Sequence, residues 1–296
     1  MKKIRVAIVG FGNIGKYAVE AVLAASDMEL AGIVRRHADT DLIMGAPVAD
    51  NPAKLGHIDV ALLCTPTRSV EETALKYLEA GVSTVDSFDM HAGITALRKK
   101  LDNAAKKSGK TAIIAAGWDP GSDSVVRALL EACAPRGITY TNFGPGMSMG
   151  HTVVAKSKPG VEKALSVTIP TGNSIHRRMV YVQLRENAKI EDVTAEIKAD
   201  DDFKNDETHV IAVDDVERHA DVGHGVNLVR KGTSGMTGNQ LFEFNMKINN
   251  PALTSQIMLS CARAATRQSP GCYTMIELPL VDMLPGEREY WIGQLV

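Results

Sequence analysis

A chain of 296 residues, 45% hydrophobic and 23% charged, has an ordinary globular composition and enough length for two domains with their own cores. The formal net charge of -2 comes with no basic stripe or arginine-rich tail, which argues against nucleic acid or an anionic membrane as the main partner. Cys64, Cys133, Cys261 and Cys272 form no CxxC pair and have no histidine at ligand spacing, so a reduced, cytoplasmic protein without a metal site is expected.

The start, MKKIRVAIVGFGNIG, imitates a signal peptide, but glycines break its apolar stretch and no small-residue cleavage site follows. No apolar run approaches the ~20 residues of a membrane span. Instead IRVAIVG reads as a buried strand and IGKYAVEAVLAAS as a helix. ELAGIVRR is a second strand and IDVALLC a third, followed by the helix SVEETALKYLEAG. VSTVDSF and TAIIAA are further strands, with the helix AGITALRKKLDNAAKKSG between them. Short apolar runs alternating with amphipathic helices predict a parallel sheet with helical crossovers. The stretch 37–57 is irregular, so one crossover helix is expected to be short or absent.

Beyond about residue 120 the pattern changes. The helix SDSVVRALLEACA is followed by period-two runs: RRMVYVQL, HVIAVDDV and LFEFNMKIN. In the last, Phe242, Phe244, Met246 and Ile248 alternate with polar residues, as in a half-buried strand of an antiparallel or mixed sheet. NPALTSQIMLSCARAATRQ is a helix with Asn250 as N-cap and Pro251 at its first position. The expected organisation is α/β: a Rossmann-type domain of residues 1–118 plus about 270–296, and an α+β substrate and oligomerisation domain of residues 119–269.

Gly10-Phe11-Gly12-Asn13-Ile14-Gly15 is a G-x-G-x-x-G turn between the first strand and the first helix, the setting that makes this short pattern informative. The first glycine allows the turn, the second lets backbone approach a pyrophosphate, and the third lets helix and strand pack closely. The helix N-terminus then offers amides to the anion. The second strand ends in Arg35 and Arg36 rather than an Asp or Glu, and guanidinium forks suit the 2'-phosphate of NADP. The third strand runs into Cys64, Thr65, Pro66 and Thr67, which should edge the same crevice.

The later strands lead into DSFDMH and GWDPG, bringing Asp89, Trp118 and Asp119 to that edge. Two carboxylates there suit a cationic substrate such as an amine. The blander reading is that Trp118 fills a gap and Asp119 caps the next helix.

GFGNIG, VRR, CTPTRSV, VDSFDMH, AAGWDPG, TNFGPGMSMGH and INNPALT, in this order over nearly the whole chain, resemble the meso-diaminopimelate dehydrogenase family, in its shorter branch. The resemblance implies NADP-dependent, reversible oxidative deamination at the D-configured centre of meso-2,6-diaminopimelate, lysine biosynthesis, and self-association at least as a dimer. It further implies that Asp89 and Asp119 lie near the reacting amine with Trp118 beside it, and that Phe143, Met149 and Gly150 line that end of the pocket. Thr168, Arg178, His224 and Asn250 would clamp the distal L-centre.

Other readings compete. Gly146 to Gly150 fits G-x-S-x-G, and Ser148, Asp221 and His224 follow in hydrolase order, although the sheet that follows reads antiparallel. A silent NADP sensor and a dihydrodipicolinate reductase-like enzyme are further alternatives. The Glu-Lys-Pro tripeptide expected of sugar dehydrogenases is absent, and Cys133, expected within a helix, does not suit a thiol-dependent aldehyde dehydrogenase.

Overall fold

The computed structural model describes residues 3–36, 40–220 and 223–296. The chain divides into two compact units, Met1–Ala128 with Pro251–Val296, and Leu129–Asn250.

In the first unit the chain runs β1 (Ile4–Val9), α1 (Asn13–Ala24), β2 (Met28–Val34), β3 (Leu42–Ile43), β4 (Ala46–Ala49), β5 (Val60–Leu63), α2 (Val70–Glu79), β6 (Ser83–Asp86), α3 (Ile94–Ser108) and β7 (Thr111–Ile113). The helix α4 (Ser122–Cys133) then leads into the second unit. Strands β1, β2, β5, β6 and β7 pair in parallel, and β5 and β6 are buried along their whole length, as expected of strands covered on both faces. On α3 the apolar Leu97, Leu101 and Ala105 recur every fourth residue and are the ones buried, and Gly109 ends the helix in the left-handed conformation. Among the described residues no α-helix joins β2 to β5. The short β3–β4 pair and a 3-10 turn at Pro52–Leu55 take its place, as the irregular sequence there suggests.

The second unit runs β8 (Arg136–Phe143), β9 (Gly146–Met147), α5 (Met149–Lys156), β10 (Val161–Gly172), β11 (Ile175–Leu184), α6 (Ile190–Ala199), β12 (Glu207–Ala212), β13 (His224–Ser234) and β14 (Thr237–Ile248). It holds a mixed sheet, β12-β11-β10-β9, and an antiparallel one, β14-β13-β8. Val161, Val180, Val182, Val193, Ile197 and Phe203 form the core beneath α5 and α6. Along β14, Phe242, Phe244, Met246 and Ile248 are half-buried while their neighbours are exposed, the alternation their sequence implies.

The chain then returns to the first unit through α7 (Asn250–Ala265), β15 (Gly271–Tyr273), which pairs in parallel with β7, and α8 (Arg288–Leu295). The division therefore falls after Ala128 and Asn250, not near 118 and 270. The reason is α7, whose Ser255 hydroxyl donates to the Ile14 carbonyl at 2.8 Å and whose Arg263 pairs with Asp27 at 2.7 Å. Both contacts bind α7 to the Rossmann-type unit.

Candidate active site

Register places the cofactor-type motifs side by side. Val9 pairs with Val34 and with Leu63, and Leu63 with Asp86, so Gly10, Arg35, Cys64 and Ser87 follow neighbouring strands at one edge. Gly10 has φ +95°, and a β-carbon there would sit 2.5 Å from the Cys64 carbonyl oxygen. One on Gly15 would sit 2.3 Å from the Gly10 carbonyl oxygen, so both glycines are demanded by close packing of turn, strand and helix. Gly12 differs: a β-carbon there would meet nothing within 4 Å. It stands at the N-cap of α1, with no side chain capping the first turn and no acidic residue in it. Space beside uncapped amides is what a pyrophosphate needs.

The rest of this edge fits the same group. Arg35 is half-buried and its amide donates to the Ala49 carbonyl at 3.0 Å, while Arg36 is exposed. The Thr65 hydroxyl is buried and has no hydrogen-bond partner among the described residues. Thr67 opens a 3-10 turn and donates to Asp89 at 2.5 Å, tying that exposed carboxylate to the strip. The Cys64 thiol is pushed up to about 12 by burial, so it stays protonated and inert.

Trp118 and Asp119 sit in a tight turn. The Ser122 amide donates to the Gly117 carbonyl at 3.1 Å and the Asp123 amide to the Trp118 carbonyl at 3.0 Å. Gly121, at φ +147°, could carry no side chain, since a β-carbon would lie 1.8 Å from the Gly117 carbonyl oxygen. Trp118 is buried, and the Asp119 side chain is largely so. Asp119 does not cap α4. Its carboxylate pairs with Arg127 at 2.9 Å, and the same guanidinium nitrogen bonds Asp123. Sequence reasoning missed both partners, although Asp123 and Arg127 stand four apart on a helix.

In the second unit, Thr168 and Arg178 face each other across β10 and β11. The Arg178 guanidinium donates to the Thr168 hydroxyl through Nη1, and to Asp206 through Nε at 2.6 Å. Gly146 pairs with Thr168, and a β-carbon on it would sit 2.8 Å from the His224 Cα, so the buried His224 belongs to the same cluster. His224 begins β13 opposite Ile248, two residues before Asn250, the first residue of α7. The Phe143 amide donates to His176 Nε2 at 2.9 Å. That ring is held neutral by burial and by Arg178, as an accepting nitrogen requires.

Met149 and Gly150 open α5, where the Ser148 hydroxyl meets His151 Nδ1 at 2.7 Å and His151 Nε2 meets the Asp202 carbonyl at 3.0 Å. A carbonyl only accepts, so Nε2 carries the hydrogen and Nδ1 accepts from the serine. The hydrolase constellation is thus not the expected one: Ser148 engages His151, not His224, and Asp221 lies outside the described residues. β9 also joins β10 antiparallel, unlike the parallel strand of a nucleophile elbow. Cys133 is exposed at the last position of α4 rather than within it. Among the described residues no group of His, Cys, Asp and Glu could hold a metal ion, and no helix is long and apolar enough to cross a membrane.

Known proteins match both halves of this arrangement. A family profile described as oxidoreductase family, NAD-binding Rossmann fold, covers residues 4–88, and one described as diaminopimelic acid dehydrogenase C-terminal domain covers residues 117–177. A meso-diaminopimelate D-dehydrogenase of Bacteroides fragilis is 60% identical over 300 residues, covering 100% of both chains. The chain belongs to the meso-diaminopimelate D-dehydrogenase family. It is therefore an oxidoreductase of the amino acid dehydrogenase class. Among solved structures, the C. glutamicum dehydrogenase in complex with diaminopimelate superposes with a TM-score of 0.91 at 29% identity, covering 100% of both chains. An engineered D-amino acid dehydrogenase bound to NADP+ matches with a TM-score of 0.85 at 28% identity, also over 100% of both chains.

Proposed function

We propose that the chain catalyses the NADP-dependent, reversible oxidative deamination of the D-centre of meso-2,6-diaminopimelate. The products are ammonia and L-2-amino-6-oxopimelate, which cyclises to tetrahydrodipicolinate. Run in reverse, as reductive amination, the reaction serves lysine biosynthesis. The observation that carries this reading is the placement of two carboxylates, Asp89 and Asp119, on loops that follow β6 and β7 at the edge lined by the dinucleotide turn.

Gly10, Phe11, Gly12, Asn13, Ile14 and Gly15 would hold the pyrophosphate, Arg35 and Arg36 the 2'-phosphate, and Cys64, Thr65, Pro66 and Thr67 the edge beside them. Their fit rests on the open space at Gly12 and the unpartnered Thr65 hydroxyl. The bound nicotinamide supplies a carbon that takes or gives a hydride. NADP is favoured over NAD because two guanidinium groups and no carboxylate directly follow β2.

Asp89 and Asp119 face the substrate ammonium, and one of them accepts its proton. Trp118, with Phe143, Met149 and Gly150, walls the reacting end. Arg178 binds the distal carboxylate, with Thr168 and Asn250 as neutral polar partners and His224 as a further member of the clamp, and Asp206 fixes the guanidinium from behind at 2.6 Å. Positioned acid-base groups contribute about 10²- to 10⁴-fold, or roughly 3 to 5 kcal/mol. The enzyme acts in the cytoplasm and self-associates, for which the exposed Ile138 and Leu241 of the antiparallel sheet offer apolar surface. The test is stoichiometry: NADP+ and meso-diaminopimelate should yield one ammonia per NADPH formed, and NADPH without ammonia would contradict a deamination.

A further inference from the structure

Asp119 poses a charge problem. A carboxylate meant to attract an ammonium is already paired with the guanidinium of Arg127. The same nitrogen, Nη2, bonds a second carboxylate, that of Asp123, on the first turn of α4. Asp123 is wholly buried, while the Asp119 side chain keeps 14% of its surface exposed. Among the described residues Asp123 also hydrogen-bonds Asp119 itself and accepts weakly from the Ser124 hydroxyl at 3.4 Å.

The ionisable groups acting on Asp123 are Asp119 and Arg127. With both carboxylates ionised the trio carries one net negative charge, and with one proton between them it carries none. Burial first, and the Asp119 charge second, push the Asp123 carboxyl up to about 7 against the opposing pull of Arg127. The wholly buried Asp123 carboxyl is therefore the one that keeps a proton.

We propose that Asp123 is a positioning residue that sets the charge of the amine site. It holds one proton in the free enzyme and sheds it to solvent when the ammonium substrate binds, leaving the Asp119–Asp123 pair able to take a proton back from that ammonium. Each step balances. On binding, the Asp123 carboxylic acid becomes a carboxylate and one proton enters solvent. In the second step an N–H bond of the ammonium breaks and an O–H bond forms on the pair, through Asp119, leaving a neutral amine. Arg127 stays protonated throughout and holds the two carboxylates together. The inference rests on the proposed role of Asp119 at the reacting amine.

The test is proton counting by titration calorimetry. Meso-diaminopimelate is titrated into the protein saturated with NADPH, which cannot oxidise it, in buffers of different ionisation enthalpy at pH 6.5. A group with its midpoint at about 7 is roughly three-quarters protonated there, so the wild type should release roughly three-quarters of a proton. Asp123→Asn should bind the substrate and release almost none. Equal release by the two proteins would overturn the proposal. Should Asp123→Asn fail to fold, the wild type alone decides: release should fade towards zero by pH 8.5, and a release that does not change with pH overturns it. Absence of any meso-diaminopimelate binding would overturn the proposed function together with this inference. Binding without proton release would overturn this inference alone.

Discussion

Thr168 and Arg178 are cross-strand partners on β10 and β11, and the threonine hydroxyl accepts a hydrogen bond from the arginine Nη1. With Asp206 on Nε, the guanidinium is fixed in place before any ligand arrives. A pre-ordered fork loses little entropy on meeting a carboxylate. Arg178→Gln should therefore raise the KM for meso-diaminopimelate by about 10- to 150-fold, the worth of a charge-assisted hydrogen bond of roughly 1.5–3 kcal/mol. Steady-state kinetics would show it. A fall in kcat with KM unchanged would place Arg178 elsewhere.

Asp89 is tethered to Thr67 at 2.5 Å, so removing its charge should leave its loop in place. Asp89→Asn should lower turnover by about 10²-fold or more while NADPH affinity changes little. Equal losses in both would remove Asp89 from the chemistry.

The two glycines of the dinucleotide turn that differ in surroundings should separate folding from binding. Gly12 has an extended backbone and free space around a would-be β-carbon. Gly12→Ala should shift stability by less than about 1 kcal/mol but weaken NADPH binding at least about tenfold, read by cofactor fluorescence. Gly15→Ala, with its clash against the Gly10 carbonyl, should lower the unfolding midpoint itself. A Gly12→Ala protein with unaltered NADPH affinity would contradict the cradle.

Arg35→Ala with Arg36→Ala should weaken NADPH binding by about 10²- to 10⁴-fold, from the loss of two charge-assisted contacts, and leave NADH binding nearly unchanged. Parallel titrations check this. Equal loss for both cofactors would mean that the arginines do not read the 2'-phosphate.

Asp86, at the end of β6, is wholly buried and accepts the amides of Phe88 at 2.9 Å and Ala115 at 3.3 Å. It thus holds the loops that carry Asp89 and Trp118. Burial outweighs these bonds and pushes the carboxyl from 3.8 up to about 7. The folded state then binds more protons than the unfolded state between those two values. This contribution to stability is complete at the acid end and declines as pH rises from about 4 to about 7, by on the order of 4 kcal/mol. Asp86→Asn keeps an acceptor and loses the titration. Urea midpoints should show the variant gaining on the wild type between pH 5 and pH 8. A constant difference across that range would contradict the assignment.

The Rossmann-type unit was legible because each of its signals is local. Glycine spacing, apolar strands and four-residue helical repeats lie within short windows, and β1 to α3 follow them. The β3–β4 segment gave no such period, and there the structure is short and irregular. The second unit was harder. Strands β10 and β13 and helix α6 were not anticipated, because polar residues interrupt their apolar patterns. Ser166 and Thr168 are buried in β10, and Arg230 is buried in β13 against Glu131 and the Ala134 carbonyl. Partners distant in sequence satisfy such groups, and no local pattern announces them. The same holds for Asp206 behind Arg178. For Asp119, the four-residue step from Asp123 to Arg127 was readable, but not that the turn at Pro120 brings Asp119 to the same nitrogen.

The most direct measurement follows NADPH formation at 340 nm with meso-diaminopimelate and NADP+, beside parallel reactions with the LL isomer and with NAD+. The account predicts strong signal only when the meso isomer and NADP+ are both present, since one D-centre must react and two guanidinium groups must be satisfied. Turnover of the LL isomer at a similar rate, or no turnover of the meso isomer by a protein that binds NADPH tightly, would contradict it.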